Sequence, residues 1–188
     1  LKREWDRDSY KGHELNSATL GIVGLGRIGS KVARYAEAFG MNVIAYTDKY
    51  TKHYPNIKLL DNLETLLSSS DIVTIHVPLD EKTEKLIGDT EFKNMKENAY
   101  FINTSRGEIV DESALIRAIQ KGRIAGAAVD VIHHEEKMIQ DGRSSLVEFA
   151  KNDVRLLITP HLGGATYESM EKTEVFMAKK LADHFFDN

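Results

Sequence analysis

The sequence predicts an α/β fold, a doubly wound parallel sheet of about six strands with helices on both faces. Three observations predict it. Six short apolar runs alternate with helix-like segments along 188 residues. A glycine-rich turn separates the first run from the first helix. Three further polar segments each follow directly on a strand-like run, where an open sheet of this kind gathers its ligands.

Taken in order, Thr19-Leu20-Gly21-Ile22-Val23 is the first strand and stops at a glycine. Ile28, Val32, Tyr35, Ala36 and Phe39 then recur at helical spacing until Gly40, a C-terminal stop. Asn42-Val43-Ile44-Ala45-Tyr46 is the second strand. A helix carrying Leu63, Leu66 and Leu67 precedes the third, Asp71-Ile72-Val73-Thr74-Ile75-His76. Ala99-Tyr100-Phe101-Ile102-Asn103 is the fourth, followed by a helix with Leu115, Ile116 and Ile119 that closes near Gly122. Residues 124–129 form the fifth strand and 154–158 the sixth. A final helix over about residues 167–186 carries Met170, Val175, Met177, Ala178 and Leu181. Residues 133–153 have no clear period and read as a long loop, functional or mobile. Residues 1–18 are a polar arm, Trp5, Tyr10 and Leu15 excepted, leaving one domain over 19–188. A chain that begins at Leu1 reads as a piece of something longer.

Composition narrows the function. With 25 basic and 29 acidic residues and a net charge of −4, no electrostatic footprint for nucleic acid exists. No apolar run approaches the ~20 residues of a membrane span. Leu1-Lys2-Arg3-Glu4-Trp5-Asp6 lacks the apolar core of a signal peptide. The absence of cysteine removes disulfides, thiolate nucleophiles and cysteine metal sites, and fits a cytoplasmic location.

Gly24-Leu25-Gly26-Arg27-Ile28-Gly29 is a GxGxxG placed between strand and helix. The first glycine allows the tight turn, the second lets backbone approach a pyrophosphate, and the third lets helix pack on strand. The helix N-terminus then offers unpaired N–H groups to the phosphates. This is the dinucleotide fingerprint of a Rossmann-type sheet. Its acidic partner is expected about twenty residues on, at the end of the second strand, where Asp48 follows Thr47. Asp48 would accept bonds from ribose hydroxyls and repel a 2′-phosphate, which favours NAD; Lys49 and Lys52 could attract one, which keeps NADP open.

Asn103-Thr104-Ser105-Arg106-Gly107, residues 130–136 and residues 159–166 share the strand ends. Singly, each has an ordinary structural reading; together at one sheet edge they suggest a site. His133-His134-Glu135-Glu136 is not expected to hold a metal, because neighbouring histidines diverge on extended or helical backbone and no second ligand cluster accompanies them. His13, His53 and His184 read as surface residues. His76 belongs to the cofactor-facing segment, with a structural role at least as natural as a chemical one.

These segments resemble the D-isomer-specific 2-hydroxyacid dehydrogenases, in order and over nearly the whole chain. The matching stretches are residues 20–29, His76-Val77-Pro78-Leu79, 101–107, Gly126-Ala127-Ala128-Val129-Asp130-Val131 and 159–166. The resemblance implies a nucleotide domain beside a substrate domain that is largely absent here, with the last helix crossing toward it. It implies Arg106 as clamp for the carboxylate of a 2-hydroxy or 2-oxo acid, His161 as acid/base, and Glu135 as its partner. Arginine's planar fork suits a carboxylate. Histidine exchanges protons near neutrality, and a carboxylate beside it favours the charged imidazolium and fixes its orientation. Asp130 resembles the aspartate that meets the nicotinamide end. Arg27, Ile28, Val77, Pro78 and Thr104 would line the cofactor, Ser105, Gly163 and Gly164 would adjoin it, and Thr83 would contact phosphate.

Three features depart from the family pattern. Thr47 stands where the ribose aspartate is usual, Glu136 where proline often follows the glutamate, and 26 positions separate Glu135 from His161. A homodimer through this domain is implied. Glycerate, phosphoglycerate, lactate and hydroxypyruvate are all admissible substrates. A second reading, an NAD(H)-sensing interaction protein resembling the C-terminal binding protein corepressors, shares the same residues. Formate or phosphite oxidation fits less well, since the formate branch pairs its histidine with glutamine. Alone, a domain lacking half the cleft is expected to turn over weakly.

Overall fold

The computed structural model describes residues 11–48 and 56–186. Seven parallel strands lie in the order β3-β2-β1-β4-β5-β6-β7. They are β1 (Thr19–Val23), β2 (Asn42–Tyr46), β3 (Lys58–Leu59), β4 (Ile72–Ile75), β5 (Tyr100–Asn103), β6 (Gly126–Val129) and β7 (Leu156–Ile158). The helices are α1 (Gly29–Ala38), α2 (Leu63–Ser69), α3 (Asp89–Asn94), α4 (Glu112–Gln120), α5 (Glu135–Asp141), α6 (Ser145–Ala150) and α7 (Tyr167–Phe186). The expected α/β sheet is present, with one strand more than the six anticipated. The extra one, β3, is two exposed residues beside Ile44 and Ala45. Its length is too short to alternate, so periodicity could not reveal it.

Residues 133–153 are not the expected long loop. They hold α5, closed by Gly142 at φ 64°, and α6, capped by the Ser144 hydroxyl, which accepts from Val147 N at 3.3 Å. Both contain fewer than two full turns, too few to display a period, and neither carries the leucine spacing that marks the equally short α2. For the same reason α3 is silent in the sequence. Four strands, β4, β5, β6 and β7, also start one or two residues later than expected. Val154 is fully exposed ahead of β7. Asp71, placed in the third strand by its sequence, instead anchors the strand's start by accepting from Thr19 N and Lys96 Nζ, both at 2.8 Å. Lys96 holds its carboxyl below the usual carboxylate range.

The larger core lies between one sheet face and α2, α3, α4 and α6, where Leu66, Leu67, Phe92, Phe101, Leu115 and Leu146 are buried. The opposite face is covered by α1 across β1 and β2. There the sequence pattern misleads, because Ala33 and Ala36 are the buried residues while Ile28, Tyr35 and Phe39 stand 60–67% exposed. A helix lying close against a sheet needs small side chains at the contact. The cover does not reach β7. Along the row Thr74, Ile102, Ala128 and Leu157, exposure rises from 4% at Thr74 to 62% at Leu157. The apolar residues of α7 are exposed as well.

Candidate active site

Every segment singled out in the sequence meets the C-terminal edge of the sheet. Strand order reverses between β1 and β4, which opens a crevice flanked by residues 24–29 and 76–83. Gly24 adopts φ 97°, a left-handed backbone that favours glycine, and an added Cβ would lie 2.8 Å from the His76 carbonyl carbon and oxygen. At Gly29 a Cβ would sit 2.2 Å from the Gly24 carbonyl, so α1 packs on β1 only because that atom is missing. Gly26 differs, since a Cβ there would meet open space. Nothing among the described residues requires glycine at that position. A ligand backed against the turn does, and the first turn of α1, with N–H groups that helix geometry leaves unpaired, suits a pyrophosphate. The residues fit the cofactor the fingerprint implies.

Thr47 is half-buried and Asp48 exposed just past β2. Lys49, Lys52, His53, Trp5 and Tyr10 lie outside the described residues. His13 and His184 are exposed. After β4, His76 accepts or donates at 3.0 Å to the Thr74 hydroxyl. Thr83 donates to the Pro78 carbonyl at 2.6 Å and accepts from Asp80 N at 2.8 Å, so its hydroxyl shapes the 78–83 turn in this structure. Burial holds His76 below the ordinary histidine range. The depressed value means the unfolded chain binds the proton more readily, so stability is full above about pH 6.5 and falls as pH drops below it. Melting temperature should therefore decline from pH 7.5 to 5.5, and His76→Gln should flatten that decline; an equal slope in both proteins would refute the assignment.

The turn after β5 is braced by a residue the sequence reading passed over. Asn103, 1% exposed, accepts from Ser105 N at 3.0 Å and donates through Nδ2 to the Arg106 carbonyl at 2.9 Å. The Ser105 hydroxyl donates to the Val77 carbonyl at 2.9 Å, tying this turn to the crevice. Exposed Thr104 lies at its start. The Arg106 guanidinium is exposed, with Nη1 donating to the Ser105 carbonyl at 2.6 Å. Next to it, Gly107 permits backbone contact with the β6–α5 turn, since a Cβ would fall 2.1 Å from Ile132 C and 2.4 Å from His133 N.

His161 and Glu135 come together across 26 positions, Nδ1 to Oε2 at 2.8 Å. The carboxylate that faces His161 is that of Glu135, while Glu136 approaches His134. His161 has φ 53°, an unusual backbone for a non-glycine residue. Asp130 holds it there. Its carbonyl accepts from His161 N at 2.8 Å, and its carboxylate accepts from Thr159 Oγ1, Leu162 N and Gly163 N. Burial raises the Asp130 carboxyl, but the Thr159, Leu162 and Gly163 donors and His161 outweigh it and leave it below the carboxylate range. Asp130 is thus the brace of the histidine loop, a role its spacing alone did not disclose. Thr159 was likewise missed. Gly164 follows with open space around it. On the β7 side, an apolar cavity of about 590 Å³ adjoins the pair, bounded by Met138, Val147, Leu156 and Ile158.

One geometric premise is overturned. His133 and His134 do not diverge; their rings stack with centroids 3.9 Å apart and planes 18° from parallel. His134 has φ 54°, and this left-handed turn, neither extended nor helical, brings both rings to one side. Glu108, on the 3-10 turn after Arg106, joins them. Half-buried Glu112 supports the same region by accepting from His133 N at 2.7 Å, and partial burial pushes its carboxyl up.

A crevice at a strand-order reversal, with an acid-paired imidazole at the same C-terminal sheet edge, defines a dinucleotide-binding domain of the oxidoreductase kind. Residues 1–163 match the family model described as D-isomer specific 2-hydroxyacid dehydrogenase, NAD binding domain. The chain belongs to that family, as its NAD-binding domain. It is 38% identical over 185 residues to D-3-phosphoglycerate dehydrogenase of Methanocaldococcus jannaschii, covering 96% of this chain and 34% of the relative. It is 41% identical over 180 residues to glyoxylate reductase of Thermococcus litoralis, covering 94% and 52%. The NAD complex of a D-isomer specific 2-hydroxyacid dehydrogenase from Lactobacillus delbrueckii ssp. bulgaricus superposes with TM-score 0.87 at 34% identity, over 97% of this chain and 59% of that one. The chain thus spans a third to a half of the curated relatives it matches. No helix among the described residues is long and apolar enough to cross a membrane.

Proposed function

We propose that the protein is an NAD-dependent D-2-hydroxyacid dehydrogenase, interconverting a small D-2-hydroxy acid and its 2-oxo acid. The observation that carries this is the 2.8 Å contact between His161 and Glu135 at the sheet edge that also holds the glycine-rich turn. In this reading, NAD supplies and accepts hydride, and the protein supplies placement and protons. Arg106 binds the substrate carboxylate through the guanidinium N–H groups that Ser105 leaves free. His161 gives a proton to the carbonyl oxygen during reduction and takes it back during oxidation. Glu135 orients the ring through Nδ1 and stabilises the imidazolium.

Gly24, Gly26, Arg27, Ile28 and Gly29 cradle the pyrophosphate, and Thr47 or Asp48 takes the ribose. Thr83 contacts phosphate, Val77, Pro78, Thr104 and Ser105 line the way to the nicotinamide end, and Asp130, Gly163 and Gly164 adjoin it. Two surfaces support a homodimer through this domain, the Ile28-Tyr35-Phe39 stripe of α1 and the open row ending at Leu157. The exposed apolar residues of α7 support its crossing to a substrate domain, without which the isolated domain turns over weakly. A cytoplasmic location accords with the cysteine-free composition. No observation favours the corepressor-like sensing reading.

Calorimetric titration of this chain with NADH and NADPH tests the proposal. Saturable NADH binding, at least about tenfold tighter than NADPH through 2′-phosphate repulsion by Asp48, is expected. Failure of the folded chain to bind either would overturn it.

A further inference from the structure

We propose that Glu108, His133 and His134 form a site for a borderline divalent transition metal that staples the Arg106 turn to the Glu135 turn. One donor atom from each lies within 4.8 Å of the others. Two imidazoles and one carboxylate suit Zn²⁺, Ni²⁺ or Cu²⁺, whereas Mg²⁺ and Ca²⁺ prefer oxygen donors. Ligand bonds of about 2.0–2.2 Å require the donors to close by side-chain rotation only.

The backbone beneath them is already fixed. Lys85 N donates to the Glu108 carbonyl at 2.8 Å, and His133 N donates to Glu112 Oε1 at 2.7 Å. Gly107 keeps the two turns in direct backbone contact. The left-handed turn at His134 explains why consecutive imidazoles face the same way. Glu136 Oε1, 3.4 Å from His134 Nδ1, adds a second carboxylate beside the cluster. Glu108 and His133 are half-buried and His134 is exposed, so the site is reachable and keeps a coordination position for water. Glu108 is two residues from Arg106 and His134 is next to Glu135, so occupancy fixes the spacing of the two turns.

Titration of this chain with Zn²⁺ alone, followed by calorimetry, should show one equivalent bound with low micromolar affinity. His133→Ala and His134→Ala should each weaken it by about tenfold or more, while His13→Ala should leave it unchanged. Saturating Zn²⁺ should raise the melting temperature by roughly 5 °C, an effect absent from the double variant. Should either variant fail to fold, Cu²⁺ bound to the unaltered chain decides the matter by electron paramagnetic resonance. Couplings from two imidazole nitrogens support the site, and one or none overturns it. Affinity only in the millimolar range, or equal affinity in the folded double variant, also overturns it. Neither readout depends on NADH, so failure here leaves the proposed dehydrogenase reading separately testable.

Discussion

Replacing His161 by asparagine in the full-length protein should lower kcat by about 10³, the scale of a lost general acid/base, while NADH affinity changes by no more than about threefold. Asparagine is the informative substitution. His161 sits at φ 53°, and asparagine tolerates left-handed backbone better than most residues, so the loop held by Asp130 keeps its course. Any loss then reports the missing imidazole and not a displaced loop. Glu135→Gln should cost less, about 10², because the amide can still reach His161 Nδ1 but no longer balances the imidazolium charge. Arg106→Lys should act mainly through KM, since lysine keeps the charge and loses the bidentate fork. Steady-state kinetics with each 2-oxo acid that the unaltered enzyme reduces would check the set. Unchanged turnover in the asparagine variant would remove His161 from the reaction.

Gly107→Ala should destabilise this chain by about 3 kcal/mol, the upper range for overpacking, because the added carbon meets backbone and not a flexible side chain. The nearest atoms, Ile132 C and O at 2.1 and 2.3 Å, can retreat only if the β6–α5 turn moves as a unit. That turn carries Glu135. A folded variant should accordingly lose the 2.8 Å alignment of Glu135 with His161 and, in the full-length protein, much of its activity. Urea unfolding provides the measurement, with Gly12→Ala, which meets nothing within 4 Å, as the control expected to shift stability by less than about 0.5 kcal/mol. A Gly107→Ala midpoint matching the control would show the two turns to be independently placed.

The elements legible in the sequence are those long enough to show a period or marked by special residues. β1 and β2 were expected within their observed bounds, and α1 stops at Gly40, whose φ is 74°. The short pieces β3, α3, α5 and α6 were not visible, because fewer than two turns or three strand residues seldom distinguish a pattern from chance; the equally short α2 was legible through Leu63, Leu66 and Leu67. Burial was misread wherever large apolar residues imply a buried face. On α1 Ala33 and Ala36 are the buried side chains, and on α7 Met170, Val175, Phe176, Met177, Leu181 and Phe185 are exposed. A sequence reports which residues can be buried, but whether a partner surface exists is decided by the rest of the molecule.

The site divides in the same way. Sequence alone determined that this chain carries a dinucleotide fingerprint between a strand and a helix. It also determined that an arginine, a glutamate and a histidine follow three strand ends, since local spacing and turn chemistry fix those features. Tertiary structure decided which groups meet. It paired Glu135 with His161, made Asp130 the brace of the histidine loop through donors 29 to 33 positions away, and set Asn103 beneath the Arg106 turn. It also stacked His133 on His134 and brought Glu108 beside them. Each of these arrangements depends on the parallel sheet bringing successive strand ends side by side, and on single backbone torsions at His134 and His161 that no composition or period encodes.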